Sequence, residues 1–220
     1  MKKFILLLGV GLLAMSFVPA TSPNKTNVKR ALSAKEIIFL GANFSKLRLI
    51  HREGFIDKNG KTKCNALEYK YFDTWNEVFI TEERKFNPAE LCRVKSYTMS
   101  IKRSTELNGM VENEECIIKN ELYHVSDKEI QEIVDGYVGK VEEGVGVLVI
   151  GESLSKKHGK GKHGVVYFDT VTGEILLFKR YHASPTGVGF DNYWVNTIHK
   201  CLEDHQSFVK KERKRLKIKY

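Results

Sequence analysis

Beyond its first twenty residues the chain has no apolar run long enough to cross a membrane, and nowhere in it is there a C-x-x-C pair. G-x-S-x-G, H-E-x-x-H, P-loop and calcium-loop patterns are also missing, as is any internal repeat. The missing C-x-x-C argues against a thioredoxin-type redox motif and a zinc knuckle. The other absences remove the common signatures of an α/β-hydrolase, a zinc peptidase and a P-loop nucleotide enzyme. Cysteine is scarce but even in number: Cys64, Cys92, Cys116 and Cys201 allow three complete pairings, and spacing selects none.

What is present first concerns address. Lys2 and Lys3 precede an eleven-residue apolar run, Phe4 to Ala14, and Val18-Pro19-Ala20 offers the small residues a signal peptidase accepts. The run is short of the about 20 residues a membrane span requires. No cysteine follows it to carry a lipid anchor. Residues 1–20 are therefore expected to be a cleaved signal peptide, followed by a flexible polar leader over 21–34, one domain over 35–208 and a basic tail over 209–220.

Without Lys2 and Lys3 the chain carries 34 basic against 27 acidic residues, an excess of +7, and +6 of it lies from Lys210 onward. Lys210, Lys211, Arg213, Lys214, Arg215, Lys217 and Lys219 face Glu212 alone. In an exported protein this density does not indicate nucleic acid. It is read either as a solvated helix end, where cations complement exposed carbonyls, or as a site of attraction to an anionic membrane surface.

Periodicity supplies the elements. Ile37 to Leu40 and Val145 to Ile150 read as buried strands, and Lys46 to Ile50 and Ser96 to Ile101 alternate as exposed ones. Cys116 to Ile118 is a further strand, whereas Thr105 to Glu115 is polar and reads as a connection. A helix over 65–81 places Tyr71, Trp75, Val78 and Phe79 on one face. Ser126 and Glu129 form a capping box with Val125 and Ile130 as its staple, and Gly139 is the expected end of that helix. Strands over 165–168 and 174–181 flank the turn Asp169 to Gly173. The last helix begins near Asp191 as N-cap and aligns Trp194, Ile198, Cys201 and Leu202 on one side.

Two loops carry the candidate site residues. The first, 155–164, presents Lys156, Lys157, His158, Lys160, Lys162 and His163 among glycines. It reads as a solvated hairpin loop whose backbone N–H groups and lysines can contact an anion. A metal is disfavoured there, because the lysines repel cations and no neighbouring carboxylate completes a ligand set for His158 and His163. The second places Gly187 and Gly189 before a helix, with Asn192 where a dinucleotide fingerprint requires its third glycine; close packing of helix on sheet explains it better than phosphate binding. No cofactor is implied. The catalytic alternative, a small-molecule or metal-dependent enzyme with a Cys/His site drawn from Cys64, Cys92 or Cys116, finds no pair selected by spacing.

The segment Val165 to Leu202, with its D-x-x-T-G hairpin (Asp169 to Gly173) and Gly189-Phe190-Asp191-Asn192-Tyr193-Trp194, resembles a group of uncharacterised exported proteins of Bacteroidota. Gly41-Ala42-Asn43-Phe44-Ser45, Gly54-Phe55 and Trp75-Asn76 resemble the same group, although Asp191 stands where its pattern has a basic residue. More distantly, the order of elements is similar to the small domains of TolB N-terminal, LpoB and CsgG-type envelope proteins, which implies a structural or protein-binding role. The expectation is one α/β domain, α+β-like, with a mixed, largely antiparallel sheet under about three helices. Its expected role is non-catalytic binding to an envelope protein or an anionic membrane surface through the two loops and the tail.

Overall fold

The computed structural model describes residues 24–56, 59–110 and 116–219. The expected signal peptide lies outside the described residues. Seven strands among those residues form one sheet: β1 Glu36–Asn43, β2 Arg48–Ile50, β3 Ser96–Met99, β4 Ile117–Ile118, β5 Val145–Ser155, β6 Lys160–Asp169 and β7 Ile175–Ala183. β1 and β2 both pair with β5 in parallel, β1 along its first half and β2 along its second, while β6 pairs antiparallel with β5 over its full length. Because β6 occupies one edge of β5, β1 and β2 share the other. β3 extends the sheet beyond β1 and β4 extends it beyond β2, both in parallel.

This corrects the expectation of a largely antiparallel sheet. The five strands ordered β3-β1-β5-β2-β4 all run one way, and only β6 and β7 turn back as hairpins. The cause lies in the connections. Long helical segments between β2 and β3, and between β4 and β5, return the chain to its starting end, as parallel strands require.

Three layers result. On one face, Phe39, Val147, Val149 and Tyr167 pack with helices α1 (Lys25–Ser33), α3 (Asp73–Thr81) and α7 (Phe190–Arg215). α3 continues from α2 (Cys64–Ala66) through a π-helical segment, Leu67–Phe72, and α4 (Pro88–Leu91) follows. On the other face, Ile38, Leu148, Ile150 and Phe168 pack with α6 (Asp127–Asp135) and with Leu107 of α5 (Lys102–Asn108). β5 is thus covered on both sides, which is why its first part, Val145 to Ile150, is continuously apolar rather than alternating.

Where a mobile leader is expected over 21–34, the structure has α1. Asn24 caps it, and Ala31 and Leu32 enter the core. Arg30 bridges Asp169 and Glu174, and Asn27 Nδ2 donates to Glu174 at 2.8 Å, so the helix grips the tip of the β6–β7 hairpin. That hairpin forms as expected: Asp169 Oδ1 accepts the N–H groups of Val171 and Thr172, and Gly173 has φ +75°. The capping box also forms, with Val125 and Ile130 buried beside it, but the helix ends at Gly136 rather than Gly139.

Of the connection expected over 105–115, residues 105–108 belong instead to α5, and 111–115 lie outside the described residues. α5 packs through buried Ser104 and Asn108, a polar anchorage that an apolar periodicity does not reveal. Its purpose is visible at the bulge in β1, where pairing with β5 slips between Phe39 and Ala42. Asn76 Oδ1 accepts Ala42 N–H at 2.7 Å, and the Asn76 and Asn108 amides both donate to Ala42 O. Asn108 Oδ1 accepts Phe44 N–H at 2.8 Å. Gly41 has φ +77°, and a Cβ there would collide with Asn76 Oδ1.

Cys64 and Cys116 form a disulfide that ties the start of α2 to the residue preceding β4, while Cys92 and Cys201 are buried free thiols. Two stability predictions follow from these clamps. Asn76→Ala should cost about 1–3 kcal/mol in urea denaturation, since it leaves Ala42 N–H buried without its acceptor. Paired replacement of Cys64 and Cys116 by Ala should cost about 2–4 kcal/mol by releasing a loop of 52 residues in the unfolded chain.

Candidate functional site

Parallel strands deliver their following loops to one end of a sheet, and ligand sites of open α/β sheets lie outside those carboxyl ends. Here β2 runs into His51, β4 leads toward Glu121, and β5 runs into Lys156-Lys157-His158. A cleft of about 460 Å³ opens at this end, lined by Ile50, His51, Glu53, Lys156 and Lys157.

The side chains at its rim converge on Glu121. His51 Nε2 lies 2.7 Å from Glu121 Oε1, Lys157 Nζ donates to the same oxygen at 2.9 Å, and His158 Nε2 lies 3.1 Å from Oε2. These partners, Lys157 foremost, hold the Glu121 carboxyl down at about 2, so it is ionised at any physiological pH. His51 takes its position through a left-handed backbone, φ 63°, with its N–H bonded to Ile118 O. Glu121 is fixed from its backbone: Lys162 Nζ donates to Glu121 O at 3.0 Å, and the disulfide at Cys116 anchors the strand that leads to it.

The first predicted loop is thus divided by function. Lys156 and Lys157 line the cleft and His158 joins Glu121, whereas Lys160 opens strand β6 as an exposed residue. Lys162 serves the Glu121 turn. His163 is not on the surface at all: it is buried in β6, with Nε2 2.7 Å from Thr197 Oγ1. The Thr197 hydroxyl donates its proton to Trp194 O, so the His163 Nε2 must carry the hydrogen.

The second loop meets the first. Lys156 Nζ lies 3.9 Å from the centroid of the Tyr193 ring, and Gly54 crosses so close to the Lys156 side chain that a Cβ would collide with it. Gly187 and Gly189, both at positive φ, and exposed Asn192 lie where α7 begins, but the chain turns in to pack. Phe190 inserts among Phe55, Tyr71, Trp75 and Trp194, with ring centroids 4.6–6.4 Å away. The helix starts at Phe190 from Gly189, so Asp191 is a first-turn residue and not the N-cap; its negative charge already faces the helix dipole.

The predicted basic tail is the last part of α7. At about 1.5 Å per residue the 26-residue helix extends about 39 Å, which carries its end away from the cleft to the amino ends of the strands. There Arg213 is buried and donates Nε–H to Leu32 O at 2.8 Å, Leu216 is buried, and Arg215 pairs with Glu212. Lys210, Lys211, Lys214, Lys217 and Lys219 remain exposed. A small recess of about 30 Å³ there is lined by Lys35, Arg93, Lys95, Arg213 and Lys219 among others.

The sequence missed His51 and Glu121 because they come from separate turns and carry no spacing relation to His158. The two free thiols and the histidines His163 and His205 are sealed in the core. Burial raises the Cys92 thiol to about 12 and pushes Cys201 higher still, leaving both protonated. His205 accepts from one tyrosine hydroxyl and donates to the other, Tyr167 at 2.8 Å and Tyr181 at 2.9 Å.

No protein-family model and no curated protein matches the chain. One solved structure, described as "Crystal structure of uncharacterized protein", aligns at 8% identity and a TM-score of 0.26 over 82% of this chain and 92% of its own. A likeness that slight carries no argument.

Burial lowers the imidazoles of His163 and His205 to about 3. The unfolded imidazoles bind protons below about pH 6.5 while the folded ones stay neutral. Stability should therefore be complete above that pH and fall as the pH drops toward 3, by up to about 1.4 kcal/mol per unit for each residue. Urea midpoints between pH 7.5 and 5, above the carboxylate range, check the sign. His163→Gln, which keeps a donor for Thr197, should remove roughly one proton from the slope.

Proposed function

We propose that this is an exported protein of the cell envelope, related to the Bacteroidota group it resembles, and that it binds an acidic partner protein without catalysing a reaction. The observation that carries the binding reading is the cleft at the carboxyl ends of β2 and β5, where Lys156 and Lys157 stand at the opening beside the partly buried ring of Tyr193. A rim of that kind suits carboxylate-bearing side chains, with lysine charge steering the encounter and the cleft fixing register. Export is supported by the signal-like first twenty residues and by the Cys64–Cys116 disulfide, a bond that persists in oxidising compartments. Against a Cys/His enzyme stand the two free thiols, both sealed in the core and held protonated. Among the described residues no helix is long and apolar enough to cross a membrane.

A second reading rests on the opposite end of the molecule. The five exposed lysines of the α7 terminus, together with the basic recess beside them, suit attachment to an anionic membrane surface. The two ends are separable by charge reversal. Deletion of 210–220 is unsuitable, because it would remove the buried Arg213 and Leu216.

The test pairs K156E/K157E with K210E/K211E/K214E, using in-cell crosslinking to envelope proteins and flotation with phosphatidylglycerol vesicles. The proposal expects a discrete crosslinked partner that K156E/K157E removes and the tail variant keeps, with vesicle binding weak in both. Crosslinking indifferent to K156E/K157E would sink the cleft reading. Salt-sensitive flotation lost only in the tail variant would establish the membrane reading instead.

A further inference from the structure

His51, Glu121 and His158 belong to three segments that have no sequence relation, yet their ligand-capable atoms all lie within 4.8 Å of one another. From this convergence we propose that the three side chains form a binding site for a divalent transition-metal ion of the Zn2+ class at the rim of the cleft. The proposal stands whether or not an acidic partner binds there.

The donor set fits this class of ion. Two neutral imidazole nitrogens and one carboxylate oxygen suit zinc and its borderline neighbours, whereas magnesium and calcium prefer oxygen alone. Both imidazoles present Nε2 to the carboxylate, and they do so from opposite oxygens, so Glu121 stands between them as a bridge. An ion bound at about 2.0–2.2 Å keeps tetrahedral ligands roughly 3.3 Å apart, and whichever Glu121 oxygen binds, one imidazole already lies near that separation from it, His51 at 2.7 Å from Oε1 or His158 at 3.1 Å from Oε2. The remaining closure is at most about 1.5 Å, since all three ligand atoms lie within 4.8 Å of one another. Rotation of partly exposed side chains on turns supplies it.

The supports behind the ligands are firm. The disulfide holds Cys116 at the start of β4, Lys162 holds the carbonyl of Glu121, and the β5–β6 pairing sets the turn that bears His158. Three protein ligands leave a fourth coordination position open, as catalytic zinc sites do. His51 also lines the cleft, so that open position is adjacent to the space where Lys156 and Lys157 attract an anion. The ligand class for the loaded site is accordingly a carboxylate or phosphate group that reaches the ion from the cleft.

Lys157 gives the proposal its sharpest consequence. Its ammonium now occupies Glu121 Oε1, the position a metal would share, and acts as an internal cationic competitor. Removing that charge should strengthen metal binding rather than weaken it. A merely structural ion-pair cluster predicts no such gain.

The experiment uses the disulfide-bonded mature chain, stripped of metal and titrated with Zn2+ alone by isothermal calorimetry, with native mass spectrometry for stoichiometry. The expected result is one ion per chain, with affinity reduced on the order of tenfold or more by His51→Ala, His158→Ala or Glu121→Gln. Lys157→Met should tighten binding several-fold. His199→Ala, which removes the half-buried imidazole paired with Glu203 on α7, should leave Zn2+ binding unchanged. No saturable one-to-one binding overturns the proposal. So does binding that survives both His51→Ala and His158→Ala, or that vanishes with His199→Ala. Circular dichroism and melting of each variant separate lost affinity from lost fold; a misfolded Glu121→Gln leaves the two histidine variants and Lys157→Met to decide.

Discussion

The pairing of β5 on both of its edges is the constraint from which the rest of the molecule follows. One edge is taken along its whole length by β6, and the other is divided between β1 and β2. That division obliges the chain to break between Asn43 and Arg48 and to absorb the change of register in a bulge. At the bulge in β1 and just past the end of that strand, backbone groups of Ala42 and Phe44 need partners, because buried polar groups without them are costly. Asn76 and Asn108 reach in from α3 and α5 to satisfy them. Both helices are thereby fixed against the sheet by side-chain amides as well as by apolar contact.

The sequence patterns that stand out most strongly turn out to serve this architecture. Gly41 to Ser45 is the broken edge of β1, and the D-x-x-T-G turn is the point gripped by Arg30 of α1. Gly54-Phe55, Trp75 and Phe190 to Trp194 form one aromatic cluster in which Phe55 stacks on Trp194 at 5.7 Å and Trp75 on Phe190 at 6.3 Å. The glycines before α7 let the chain turn sharply into that cluster. They organise packing at the cleft end, and the first turn of α7 carries an aspartate where an anion would otherwise be favoured.

The chemistry at the carboxyl end comes instead from less patterned residues. His51, Glu121, Lys157 and His158 are surface polar groups in turns, ordinary one by one, and their meeting depends on parallel β2, β4 and β5 ending on the same side. The arrangement separates charge along the molecule. The cleft end holds a compact set of lysines and imidazoles around the Glu121 carboxylate, with Glu53 also on its lining, and α7 carries the other basic group to the far end of the sheet. Of the three segments expected to bind, the two loops meet at one end of the sheet and the tail lies at the other.

The sequence by itself determined the local elements whose signals are short in range. The capping box at Ser126, the turn from Asp169 to Gly173, the apolar β5 and the amphipathic faces around Trp75 and Trp194 could be read because each depends on residues a few positions apart. It misplaced α1 as a leader and α5 as a connection, since their anchorage is a single buried turn in one case and buried Ser104 and Asn108 in the other. Strand direction, the choice of Cys64 with Cys116, the burial of His163 and the meeting of His51 with Glu121 and His158 were decided only by the tertiary structure. Each is a relation between segments far apart in sequence, 34 residues for His163 with Thr197, 52 for Cys64 with Cys116 and 107 for His51 with His158, and periodicity within a segment says nothing of which distant segment will lie beside it.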